Sequence, residues 1–118
     1  MSPARELDVK ALIGRGFGDA PFVHENGIRL ADIGPGWCEA EMDITPHHLQ
    51  HLGVVHGGVL MTIADHCAGA AAETVRAGRQ VTFVEASVWS IGDAGASLCA
   101  RASVTLTAAR GAQASEAR

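Results

Sequence analysis

The chain has 118 residues, 47% of them hydrophobic, with a formal net charge of -4 and three cysteines. That suffices for one domain with one core, and the mild acidity lacks the basic stripe expected of a nucleic-acid binder. No apolar run approaches a membrane span, and the polar start MSPARELDVK has no signal-peptide core, so a cytoplasmic protein without a membrane partner is expected. In that setting Cys38, Cys67 and Cys99, widely spaced among apolar residues, read as reduced thiols rather than activated nucleophiles.

In chain order, residues 4–13 (ARELDVKALI) predict a short helix, ended by the glycines of GRGFG. Ile28 to Ile33 predicts a strand closed by Gly34-Pro35-Gly36. In WCEAEMDI, Cys38, Ala40, Met42 and Ile44 alternate with Glu39, Glu41 and Asp43, the period of a strand with one dry face, and the two strands should pair as a hairpin. Pro46 stops the second strand, and a polar loop leads into HLGVVHGGVLMTIADHC. From Gly57 to about Val75 the residues predict one long helix, apolar on most sides and therefore a core helix that something must wrap. QVTFVEASVWS and SLCARASVTLT then predict a second hairpin around Gly92-Asp93-Ala94-Gly95, with Leu98, Ala100, Ala102, Val104 and Leu106 on one face. The tail GAQASEAR is small and polar and reads as frayed. Antiparallel hairpins around a single helix make one α+β domain spanning residues 1–118.

The central helix carries the chemistry. Gly58, Thr62, Asp65 and Gly69 fall on one small, partly polar stripe. A carboxylate in an apolar helix is expected to be part-buried, with its pKa raised unless it is paired; such a group suits a general base. It is equally the pattern of a polar residue satisfied by a neighbouring loop. Glycines at a helix start let a ligand oxygen approach bare N–H groups, although they also serve simple close packing. His56 reads as a loop-bonding residue or as a direct participant. His47, His48, His51 and His56 have no zinc-type spacing, so no metal is expected. Trp37 and Trp89 read as packing or interface residues.

With Gly53, His56, Gly57 and Gly58 forming G-x-x-H-G-G and Asp65 seven residues beyond the last glycine, the chain resembles the hotdog-fold acyl-CoA thioesterases of the phenylacetate-degradation type. The resemblance implies a hotdog-like antiparallel sheet wrapped around the long helix. It implies hydrolysis of an acyl-CoA to a free acid and coenzyme A, the coenzyme being part of the substrate and no separate cofactor being needed. It assigns polarisation of the thioester carbonyl to an N–H of Gly57 or Gly58 and the role of base or nucleophile to Asp65. Gln50 stands where an Asn or Gln often orients the carbonyl or the water; Asn is the usual residue of this branch. Relative to the family, the junction from Val75 to Arg79 reads as short by about two strands, which implies fewer strands than usual. Arg76 and Arg79 could meet the phosphates of coenzyme A, or simply form a solvated turn. A non-catalytic hotdog module that binds acyl-CoA or only oligomerises fits the same pattern.

Spacing adds one constraint. Gly58 and Asp65 lie roughly 10 Å apart along a helix axis, at about 1.5 Å per residue. One thioester cannot readily touch both, whereas two antiparallel copies of the helix would bring Asp65 of one chain to the glycines of another. A homodimer or a homotetramer built from such dimers, with composite sites, is the expectation.

Overall fold

The computed structural model describes residues 3–75 and 80–107. Its elements are α1 (Pro3–Asp19), α2 (Pro21–Glu25), β1 (Arg29–Gly34), β2 (Trp37–Glu41), a 3-10 turn (Pro46–His48), α3 (Gly57–Glu73), β3 (Val81–Gly92) and β4 (Gly95–Thr107). The architecture is α+β and hotdog-like: one long helix, α3, with antiparallel strands packed against it. Among the described residues the strands form two separate ladders, β1–β2 and β3–β4, rather than one continuous sheet.

The first helix runs six residues beyond its expected end, through all three glycines. Ile13 and Phe17, one turn apart, explain this: both are buried and join a cluster with Val23, Ile28, Ile33 and Ala70. Burying two such side chains contributes roughly 3–6 kcal/mol, which outweighs a glycine cost of at most about 1 kcal/mol each. The chain breaks at Ala20 and restarts as the short α2, with Pro21 at its first turn and Val23 buried.

The first hairpin follows its alternation as far as Met42; Ile44, expected on the dry face, lies beyond β2 and is 49% exposed. Cys38 and Ala40 pack inward while Glu39 and Glu41 are exposed. Its turn is Pro35-Gly36, and Gly36 has φ +79, a conformation that suits glycine after proline in a tight turn. The Gly36 N–H donates to Thr74 Oγ1 at 2.7 Å, and Thr74 Oγ1 donates to Ala71 O at 2.7 Å, so the hairpin turn is tied to the end of α3.

The connection from Glu73 to Val81 is short, and β3 returns directly onto α3. In β4 the inward face runs through Ala100, Ala102, Val104 and Leu106, as the alternation predicts. It fails at Leu98, which is 42% exposed. A bulge is the cause: Val88 pairs with Ala100 and Trp89 with Leu98, so Cys99 is the extra residue. Of α3 itself, Ala64, Ala68, Ala70, Ala71 and Ala72 are buried. Small side chains there let both hairpins approach closely. No helix among the described residues is long and apolar enough to cross a membrane.

Candidate active site at the start of the central helix

His56 begins α3 as its N-cap, with extended backbone (φ -64, ψ 137). Its Nδ1 accepts from the Gly58 N–H at 3.0 Å, and its carbonyl accepts from the Val59 N–H at 3.0 Å. Two of the orphan amides that every helix start presents are thereby satisfied. The Gly57 N–H makes no hydrogen bond within the described residues. The two glycines differ in a second way. A Cβ at Gly58 would lie 3.3 Å from His56 Nδ1, so its smallness serves the cap, whereas a Cβ at Gly57 would meet nothing within 4 Å. Of the two expected carbonyl-polarising donors, the geometry leaves Gly57 open and engages Gly58.

The loop ahead of the helix holds this arrangement in place. His48 is 1% exposed, and its Nδ1 accepts from the Thr45 N–H at 3.0 Å. Accepting that bond puts the ring proton on Nε2, which is buried without a partner among the described residues. The His48 carbonyl accepts from the His56 N–H at 2.9 Å, so the buried imidazole anchors the residue that caps α3. In the sequence His48 sits in a polar loop, and nothing in its spacing distinguishes it from His47 or His51, both exposed. Leu49 and Val55 pair as an isolated antiparallel bridge around a turn in which Gly53 adopts φ +81. That left-handed backbone accounts for a glycine at the first position of G-x-x-H-G-G. Gln50 caps the same turn, its Oε1 accepting from the Leu52 N–H at 3.3 Å.

A cavity of about 420 Å³ opens beside the helix start. Phe22, Ile28, Leu49 and Val59 supply apolar walls, and His56 and Thr62 supply polar ones. Thr62 Oγ1 donates to the Gly58 carbonyl at 2.8 Å, which fixes that side chain along the helix.

Asp65 stands apart from this cavity, and it is exposed rather than part-buried as the sequence suggested. The reason lies in how packing is distributed along the helix. The buried alanines run from Ala64 to Ala72, toward its C-terminal end. Gly57, Gly58, Met61 and Asp65 lie along an exposed side of its N-terminal part, and Met61 is 73% exposed. The next residue, His66, is half-buried with its ring edge-on to Phe17 (centroids 4.4 Å apart, 85° between planes). Burial pushes its pKa below the ordinary histidine range, while the neighbouring Asp65 pulls it back up. Arg76 and Arg79 lie outside the described residues.

Residues 52–107, from the loop through the end of β4, match the thioesterase superfamily. Two Mycobacterium tuberculosis proteins named as esterases, from strains CDC 1551 and H37Rv, are each 40% identical to the chain over 52 residues. That segment is 44% of this chain and 37% of each relative, so the chain spans little more than a third of the length of the curated relatives it matches. No solved structure matches the chain.

Proposed function

We propose that the protein hydrolyses an acyl-CoA thioester to a free acid and coenzyme A, at a site built from two copies of the chain. One observation carries the reading: Gly57 and Asp65 share an exposed side of α3, and the cavity at the helix start includes no carboxylate. The matched superfamily and the esterase-named relatives support hydrolysis of this kind.

In this reading the acyl group enters the cavity beside Val59 and the carbonyl oxygen meets the Gly57 N–H. That amide, backed by the positive end of the helix dipole, stabilises the oxyanion as it forms. Such a donor is worth about 3 kcal/mol in the transition state. Asp65 of the second copy removes a proton from the attacking water, the tetrahedral intermediate collapses, and the coenzyme A thiolate leaves and takes up a proton. Gln50, with its Oε1 engaged by Leu52, would orient water or carbonyl through its side-chain NH₂. His56 acts through the helix cap rather than on the substrate, and Arg76 and Arg79 are assigned to the coenzyme's phosphates. The protein would be a homodimer or a homotetramer of such dimers.

Thiol release from a panel of acyl-CoAs tests the reading. Wild type should release thiol from at least one member, and Asp65→Asn should slow that turnover by roughly 100-fold or more, the scale of general-base catalysis. Gln50→Ala should slow it less. A wild type that binds acyl-CoA without releasing thiol would instead be the non-catalytic module. An Asp65→Asn variant as fast as wild type would remove the carboxylate from the mechanism.

A further inference from the structure

The two thiols Cys38 and Cys67 come from different elements, β2 and α3, and meet where the helix packs on the first hairpin. Cys67 Sγ lies 3.1 Å from the Cys38 carbonyl oxygen, to which its S–H donates. The Cys38 side chain lies on the inward face of β2 and packs against the same core as the helix. Both residues are half-buried, so the pair is held by packing yet remains open to a small reagent. Cys99 offers the contrast: it is exposed and its S–H donates only to the Val88 carbonyl, with no second thiol beside it.

We infer that Cys38 and Cys67 form a dithiol modification site that reacts with low-molecular-weight disulfides to close a bond between β2 and α3. The roles of the two sulfurs follow from their surroundings. The neighbouring Cys38 thiol holds the Cys67 thiol below its ordinary value against the opposing effect of burial, while Cys38 itself is pushed up. Cys67 is therefore the attacking thiolate and Cys38 the resolving thiol. In the first step the Cys67 thiolate attacks one sulfur of the reagent RSSR; the S–S bond breaks and RS⁻ leaves and is protonated by solvent. In the second step Cys38 gives its proton to solvent base and attacks Cys67 Sγ, the mixed disulfide breaks, and the second RS⁻ leaves and is protonated by solvent. The protein loses two hydrogens and RSSR becomes two RSH. Cys67 lies two residues past Asp65, about 200° around the helix, so the closure grips α3 on its packed side.

Oxidised glutathione added to the full chain tests this, with acid quenching, alkylation, intact mass and peptide mapping. The expected product is lighter by two hydrogens, carries no glutathione on either residue, and yields a cross-linked peptide containing Cys38 and Cys67. Its thermal midpoint should rise, since the bond closes a long loop. Cys38→Ser should abolish the cross-link and trap glutathione on Cys67. Cross-links to Cys99 in place of this pair would overturn the inference. So would stable glutathione adducts on Cys67 in wild type, or two thiols still free while Cys99 reacts.

Discussion

Phe17 and Phe83 both sit in regular secondary structure, yet Phe17 is 4% exposed and Phe83 is 79% exposed. The contrast extends to the regions around them. From α1 to β2 the chain completes a core on its own: Ile13, Phe17, Val23, Ile28 and Ile33 close over Ala70 of the central helix. The β3–β4 hairpin contributes no fully buried residue. Its inward face is half-buried against α3, and its outward face shows Phe83, Trp89 and Ile91 to solvent. The exposed side of α3, with Met61 and Asp65, adds to this unfinished half. Apolar area of this kind marks an interaction surface more often than a solvent boundary. The two regions teach that a chain can complete its core around one part of a helix and leave another part of the same helix exposed.

The largest expected effect separates the two phenylalanines directly. Phe17→Ala should cost about 3–5 kcal/mol of unfolding free energy in urea, the usual range for emptying a core aromatic site. Phe83→Ser should stay within about 0.5 kcal/mol, as exposed substitutions do. A Phe83→Ser loss comparable to that of Phe17→Ala would show that the outer face of the hairpin is covered in solution and would break the contrast.

Smaller effects probe the loop that joins the halves. Gly53→Ala places a side chain at φ +81 and should cost roughly 1–2 kcal/mol. His56→Ala removes the helix cap and should cost about 1 kcal/mol, whereas His56→Asn keeps an acceptor for the Gly58 N–H and should recover most of it. If the alanine and asparagine variants unfold at the same urea concentration, the imidazole is not acting as the cap.

The smallest effect is a pH dependence at His66. Burial lowers its folded-state pKa, so between that value and the unfolded value of about 6.5 the unfolded chain binds more protons. Its contribution to stability is complete above about pH 6.5 and is lost as the pH falls through that value toward the folded pKa. His66→Gln should flatten the stability profile across this window. An unchanged slope in denaturant titrations would place the titrating group elsewhere.

Much of this was legible in the sequence because the signals were periodic. The alternation from Cys38 to Met42 and from Ala100 to Leu106 reports which faces are dry, and the proline-free, mostly apolar run after Gly57 reports the long helix. The misses have local causes. The glycines at 14, 16 and 18 argued for a helix end, but Ile13 and Phe17 bury enough surface to carry the helix past them. Asp65 looked part-buried because its sequence neighbours are apolar; which side of a helix its own chain covers is a tertiary fact that composition does not carry. His48 was invisible among four loop histidines, since burial and the bond from Thr45 are what set it apart. The split duty of Gly57 and Gly58 depends on where one imidazole nitrogen points.

The central claim is that Gly57 of one copy and Asp65 of another serve the same thioester. Mixing two variants tests it most directly. Gly57→Val adds a branched side chain at a position where a Cβ meets nothing within 4 Å, and blocks approach to the open amide. Asp65→Asn removes the base. Each alone should be nearly inactive toward a substrate that wild type cleaves. After subunit exchange, half of the dimers are mixed and each mixed dimer holds one intact site of two, so about a quarter of the wild-type rate should return. Mixed dimers that form, as native mass spectrometry would show, yet regain no activity would contradict a site shared between chains.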